Sequence, residues 1–203
     1  CIRDSIKIAK MLEDAGVQVT YGIRKHKTHA KALLVVREEK GKLKNYFHLG
    51  TGNYNSETAS QYTDFGLISS NKEMAYDIHK FFSQLTGSNK DTRFKHLFIS
   101  PINSYKKIIK LVSTEIKNKI NGKDAFIRAK MNQLTERKII SKLYEASKVG
   151  VKIELYVRGE CILMPGIKGL SENIKVYSTI GRYLEHSRAV SYTHLRAHET
   201  SLH

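Results

Sequence analysis

Tryptophan is absent from the 203 residues, cysteine occurs only at Cys1 and Cys161, and acids are scarce, 19 against 35 lysines and arginines. Two distant cysteines make neither a disulfide framework nor a metal knuckle, which fits a reduced, cytoplasmic compartment. No apolar run approaches the roughly 20 residues that a membrane helix requires, so no transmembrane segment is expected. The charged opening residues carry no signal-peptide pattern. With its aromatics scattered, the chain shows no stacking array of the kind that grips single-stranded nucleic acid. The shortage of acid leaves a formal charge of +16. Such an excess points to a polyanionic partner, for which nucleic acid is the default. The length allows one large domain or two small ones, with ample material for a core.

What is present centres on Lys27-Thr28-His29-Ala30-Lys31, followed by the apolar run Ala32-Leu33-Leu34-Val35-Val36. Such a run reads as a buried strand. If the strand begins by His29, then His29 and Lys31 point the same way, because residues two apart share a face. A neutral imidazole can attack phosphorus while an ammonium offsets charge on the phosphoryl oxygens. Alone, His-x-Lys is too short to mean more than a solvated strand entrance. It is followed, however, by the strand-like Tyr46-Phe47-His48-Leu49 and the turn Gly50-Thr51-Gly52-Asn53. Glycines let backbone amides approach an anion, and Thr51 and Asn53 add side-chain donors.

The blocks 27–31, 47–55 and Tyr62-Thr63-Asp64 resemble the C-terminal catalytic half of the long-chain (type-1) polyphosphate kinases. So do Ala129-Lys130-Met131-Asn132, Tyr144-Glu145-Ala146-Ser147, Val157-Arg158-Gly159, 169–174 and Leu184-Glu185-His186-Ser187-Arg188. They stand in family order over nearly all of residues 6–190. The resemblance implies an α/β fold of two phospholipase-D-like α/β units, the second truncated. It implies reversible transfer of the terminal phosphate of ATP to inorganic polyphosphate through a phosphohistidine, with ATP and ADP as nucleotide partners. Polyphosphate is a string of negative charge without bases, so it answers the +16 as well as nucleic acid does, and no nucleic acid partner is then expected. The full-length enzyme is expected to be a homo-oligomer.

By the same resemblance, His29 matches the nucleophile, Lys31 would hold the equatorial oxygens, and Asn53 with the turn amides would assist. Tyr62, Arg158 and His186 match positions that contact the nucleotide. Arg158 would grip phosphate through its fork of donors, and His186 would be the acid–base partner across the cleft. His48 matches a second family histidine and is read as supporting the site. Mg²⁺ is implied by ATP and polyphosphate, with its ligands expected outside this chain, and no metal ligand is assigned. Two rivals stay open. A phospholipase-D-type nuclease needs an Asp five residues after the Lys, where Val36 stands; a non-catalytic polyanion-binding module fits the charge alone.

Helical spacing predicts helices over 5–15, 58–62, from about 74 to 85, from Ser104 (as cap) with Ile108, Ile109, Val112, Ile116 and Ile120 inward, and over 139–146. His79 is read as an exposed helix residue. Strands are expected at 17–21, 29–36, 64–69, 96–100, 125–130, 151–157 and 174–177, with a hairpin turn at Lys40-Gly41-Lys42. The polar stretch Gly87-Ser88-Asn89-Lys90-Asp91 is taken as the boundary between a first unit, 1–90 (N-terminally truncated), and a second, 91–190 (C-terminally truncated). In the second unit His186-Ser187-Arg188 repeats the His-x-basic pattern. Residues 191–203 leave the family pattern and are expected to be a non-native tail that packs poorly.

Overall fold

The computed structural model describes residues 2–22, 27–88, 91 and 93–193. Helix α1 (Ile2–Asp14) closes through Gly16, whose φ of +81° suits glycine, and the Val17 amide reaches back to the Leu12 carbonyl. The strand expected at 17–21 does not form. No described strand lies beside it to take its ladder bonds, and Val17 and Tyr21 stand exposed.

Strands β1 (Ala32–Glu39) and β2 (Lys42–Gly50) make the expected hairpin, joined by Lys40 and Gly41, both at positive φ as a tight two-residue turn demands. β1 begins at Ala32, three residues later than expected, because the partner strand turns away at Gly50. The last bond in line is Gly50 N–H to the Lys31 carbonyl, 2.9 Å. His29 therefore lies on an extended approach to the sheet and not within it. After α2 (Ser56–Gln61) and β3 (Tyr62–Thr63), strand β4 (Gly66–Ser69) adds to the free edge of β2, giving the order β1-β2-β4. Helix α3 (Lys72–Leu85) is capped by the Asn71 side chain and lays Ala75 and Ile78 over Phe47, with Leu34, Leu49, Leu67, Met74 and Phe82 around them. His79 is exposed on its far side.

The strand expected at 96–100 is also missing, and side chains explain why. The Asp77 carboxylate accepts from the His96 and Leu97 amides at 2.6 and 3.0 Å, and Asn103 Oδ1 accepts from Ile99 N–H at 2.8 Å, so this backbone is satisfied without a sheet. Helix α4 (Ser104–Ile120) has Asn103, not Ser104, at its cap position; Val112 is its buried apolar residue, and Ile120 is exposed at the last turn. Then come β5 (Phe126–Met131), α5 (Arg137–Lys148), β6 (Lys152–Val157), β7 (Ile174–Tyr177), β8 (Leu184–Glu185) and β9 (Ala189–Tyr192). The sheet order is β7-β6-β5-β9, the first three parallel and β9 antiparallel. The β5-α5-β6 connection lays α5 on one face of the sheet, where Ile127, Ile153, Leu155, Val157 and Ile174 meet Val112, Ile140, Leu143 and Ala146. This α/β architecture is the expected class. The two cores are joined by a short parallel seam, β3 with β8, pairing Tyr62 with Leu184 and Thr63 with Glu185. No described helix is long and apolar enough to cross a membrane.

A further expectation is overturned within the described residues. Residues 191–193 do not form a loose tail: β9 pairs Tyr192 with Ile127 and Ser191 with Arg128, and Thr193 Oγ1 accepts from the Phe126 amide at 2.5 Å. Tyr192 is 2% exposed, and burial pushes its phenol up to about 12. Motif comparison missed this because the buried aromatic at the strand end is what the core needs, whatever the residues around it. Residues 194–203 lie outside the described residues. Tyr192→Ala should cost about 3–5 kcal/mol in urea unfolding; a loss under about 1 kcal/mol would restore the tail reading.

Candidate active site

Two elements meet at the seam. From the first unit comes His29, with the Lys31 ammonium against its ring, 3.0 Å from Nδ1 and 3.1 Å from Nε2, and donating to the His29 carbonyl at 3.0 Å. The Lys31 charge first, then burial and the charges of Arg188, Lys27 and His186, hold the His29 pKa below its usual value. A neutral ring with a lone pair to offer is thus favoured near pH 7. Lys31 is itself lowered, by burial first and then by Arg188 and Lys27, with Asp64 opposing. Although β1 starts late, the convergence expected from a shared strand face is achieved on the extended approach.

From the second unit comes His186, 8% exposed, whose Nδ1 lies 2.8 Å from Asp64 Oδ1. An ionised carboxylate only accepts, so Nδ1 carries the proton and Nε2 is left for chemistry. The same oxygen accepts from Thr51 Oγ1 at 2.6 Å, and Thr51 is in turn locked to Phe65 through both backbone groups. Burial would raise the Asp64 pKa, but the hydrogen bonds from Thr51 and His186 and the charges of His186 and Arg188 outweigh it and lower it. The turn has to pass close by. A Cβ on Gly52 would stand 2.8 Å from Asp64 Oδ2, which is why glycine is needed there.

Tyr62 places its ring 5.1 Å from that of His186, tilted by 41°. Arg158, at the end of β6, donates from Nη1 to the Glu185 carbonyl at 3.2 Å, which sets its guanidinium beside the chain that carries His186. Asn53 stands exposed on the turn with no side-chain hydrogen bond to these groups; the neighbouring Asn55 instead caps α2 through Thr58 N–H. His48 is separate. Its Nδ1 meets Tyr54 Oη at 2.7 Å, and its other nitrogen fills the space where a Cβ on Gly66 would fall, 2.7 Å away. It backs the turn, as a supporting residue would.

Sequence reading gave no role to Asp64 or Lys130, though both lie in blocks that carried the resemblance. Lys130 Nζ donates to Glu185 and, at 2.7 Å, to Ser187 Oγ, pinning both neighbours of His186. Their partners lie 122 and 55 residues away, which local spacing does not reveal. Among the described residues no group of three or more His, Cys, Asp or Glu could hold a metal ion. Asp64 is already engaged by Thr51 and His186 and is ringed by cations, so these side chains do not fit a Mg²⁺ site.

Two measurements follow from this electrostatics. Replacing Lys31 by Met should raise the His29 pKa toward about 6.5, read by NMR titration; an unchanged titration would remove Lys31 as the cause. Asp64→Asn should cost about 1–3 kcal/mol at pH 7. Because the folded pKa of Asp64 is depressed, that stabilisation is complete above its unfolded value of about 3.9 and drains as pH falls through the lower folded one. The gap between the two proteins should therefore close in acid, and a gap undiminished near pH 2 would show that charge is not what Asp64 contributes.

A family model described as polyphosphate kinase C-terminal domain 1 matches residues 2–91, and one described as polyphosphate kinase C-terminal domain 2 matches residues 97–201. A polyphosphate kinase of Prochlorococcus marinus is 51% identical over 185 residues, 91% of this chain and 26% of the relative. One from Bacillus cereus is 47% identical over 191 residues, 94% of this chain and 27% of the relative. The crystal structure of polyphosphate kinase from Porphyromonas gingivalis superposes with a TM-score of 0.83 at 32% identity, covering 97% of this chain and 32% of that one. The chain thus spans about a quarter of the length of the curated relatives it matches. With two C-terminal domain models matched in order and a phospholipase-D-like fold held in common with a solved relative, the chain belongs to the polyphosphate kinase family.

Proposed function

We propose that this chain carries the phosphotransfer centre of a cytoplasmic ATP:polyphosphate phosphotransferase, built from a first unit at 1–90 and a second at 91–190. The observation that carries the reading is the seam, which brings His29 with Lys31 into one electrostatic cluster with Asp64, His186 and Arg188. In the forward direction a neutral His29 nitrogen attacks the γ-phosphorus of ATP. The N–P bond forms as the bridging P–O bond to ADP breaks, and Lys31 offsets charge on the equatorial oxygens. His186, held by Asp64 so that Nε2 faces the cleft, exchanges a proton with the bridging oxygen. A terminal oxygen of polyphosphate then attacks the same phosphorus and frees His29. A covalent intermediate suits a reversible exchange between two phosphoanhydrides, since each half-step is about as hard as the other. Arg158, Tyr62 and Asn53 are assigned to the nucleotide, with Arg158 on its phosphates.

The nuclease alternative is disfavoured by Val36, which stands on β1 where that chemistry places an Asp. Incubation with polyphosphate, ADP and magnesium separates the readings: ATP formation supports the kinase, phosphodiester cleavage the nuclease, and binding without turnover the module. In a full-length enzyme bearing this chain, His29→Ala should abolish labelling from the γ-phosphate of ATP, whereas His48→Ala should at most weaken it. The label should be lost in acid and kept in alkali. Full labelling of the His29 variant, or loss only in the His48 variant, would move the nucleophile to His48.

A further inference from the structure

We infer that Lys130 is a positioning residue for His186, holding the ring in place for proton exchange and gripping no phosphate itself, a role that rests on the phosphotransfer function proposed above. Location alone suggests the opposite. Lys130 lines a cavity of about 340 Å³ together with Arg158, near the ends of three parallel strands.

The backbone of Lys130 is fixed on both sides. β5 is an interior strand, and Lys130 is the register partner of Tyr156 on β6 and of Ala189 on β9. The stretch that carries His186 is thus held at two ends: Leu184 and Glu185 pair with β3 at the seam, and Ala189 pairs with Lys130 itself. Between these anchors the Lys130 ammonium donates to Glu185 and, at 2.7 Å, to Ser187 Oγ. His186 turns the other way, to Asp64 Oδ1 at 2.8 Å, as alternation along an extended chain requires. Thr63 closes the arrangement from the first unit. Its carbonyl accepts from the His186 and Ser187 amides at 3.2 and 2.9 Å, and its Oγ1 donates to Glu185 at 3.0 Å. With both neighbours fixed, His186 has one direction in which to project. The lysine sets that direction although it makes no hydrogen bond to the ring.

Charge explains why this lysine is not a phosphate ligand. The Glu185 carboxylate sits against the ammonium, and hydrogen bonds from Lys130 and then Thr63 lower its pKa. The acid therefore stays ionised near pH 7 and cancels the charge of the lysine. A phosphate approaching Lys130 would meet the carboxylate too, and repulsion would offset the attraction. Two of the three ammonium donors are already engaged. Arg158 differs, because its hydrogen bond goes to the neutral Glu185 carbonyl and it has no carboxylate partner among the described residues. The cation left for phosphate in this cavity is the arginine. Charge-assisted bonds are the stronger kind, which suits a clamp that resists rotation of a neighbouring ring.

The test compares Lys130→Met and Ser187→Ala by two measurements. In a full-length enzyme bearing this chain, Lys130→Met should lower kcat for ATP formation from polyphosphate and ADP by about 10- to 100-fold, with both KM values kept within about twofold. Ser187→Ala keeps the ion pair and should lower kcat roughly threefold to tenfold. In the 203-residue chain, ¹⁵N NMR of the His186 ring should show the Nδ1–H form before substitution and a mixture with the Nε2–H form in Lys130→Met. A raised KM for polyphosphate with kcat kept would make Lys130 a phosphate ligand and overturn the inference. An unchanged His186 tautomer in Lys130→Met would overturn it as well. Should that variant not fold, Ser187→Ala decides, and unchanged kcat and tautomer there would sink the clamp. If the unaltered full-length enzyme forms no ATP, the phosphotransfer reading falls, while the tautomer measurement, which needs no turnover, still decides the clamp.

Discussion

A single carboxylate oxygen, Asp64 Oδ1, ties the two halves of this chain together where it matters. It accepts from Thr51 on the glycine turn of the first unit and from His186 on the second, and so makes the position of one unit a condition for the other. Its surroundings are strongly cationic, with Lys31 and Arg188 both acting on the same cluster. In that field the acid offsets the charges of Lys31 and Arg188 that stand beside the two histidines. The acid does not serve all of them equally. It fixes the tautomer of His186, while His29 is left to the influence of Lys31. Two imidazoles of the same intrinsic chemistry are thereby given different tasks by their neighbours.

Much of this was legible in the sequence, and the exceptions share a cause. The hairpin with its Lys40-Gly41 turn and the apolar faces of α3 and α5 rest on local periodicity, and they appear where spacing puts them. The apolar runs at 17–21 and 96–100 have strand-like patterns but lack a partner edge, the latter because Asp77 and Asn103 satisfy its amides. Pattern reports burial preference; only the tertiary fold supplies a neighbouring strand. Tyr192 was misjudged for the converse reason, since its context looked foreign while its own side chain fills a core position.

The site shows the same division. His29 and Lys31 were readable because they stand two positions apart, and Arg158 and His186 through resemblance to a family motif. Asp64 and Lys130 owe their roles to partners 122 and 55 residues distant, and no spacing rule reaches that far. His48 was recognised as a motif residue, yet only its bond to Tyr54 and its contact with Gly66 explain what it supports.

The seam between β3 and β8 also bears on how the chain tolerates change. Its strands are two residues each, and the bonds that cross it span 121 to 124 positions of sequence. Closing a loop costs entropy only as the logarithm of its length, about 0.6 kcal/mol for each doubling. A few residues inserted into a surface loop between the seam strands would therefore scarcely alter the loop-closure cost of bringing Thr63 to Glu185. Substituting either seam residue would act at full strength, because so few bonds share the task. Change in length is cheap here, and change in identity at Thr63 or Glu185, whose side chains meet across the seam, is not.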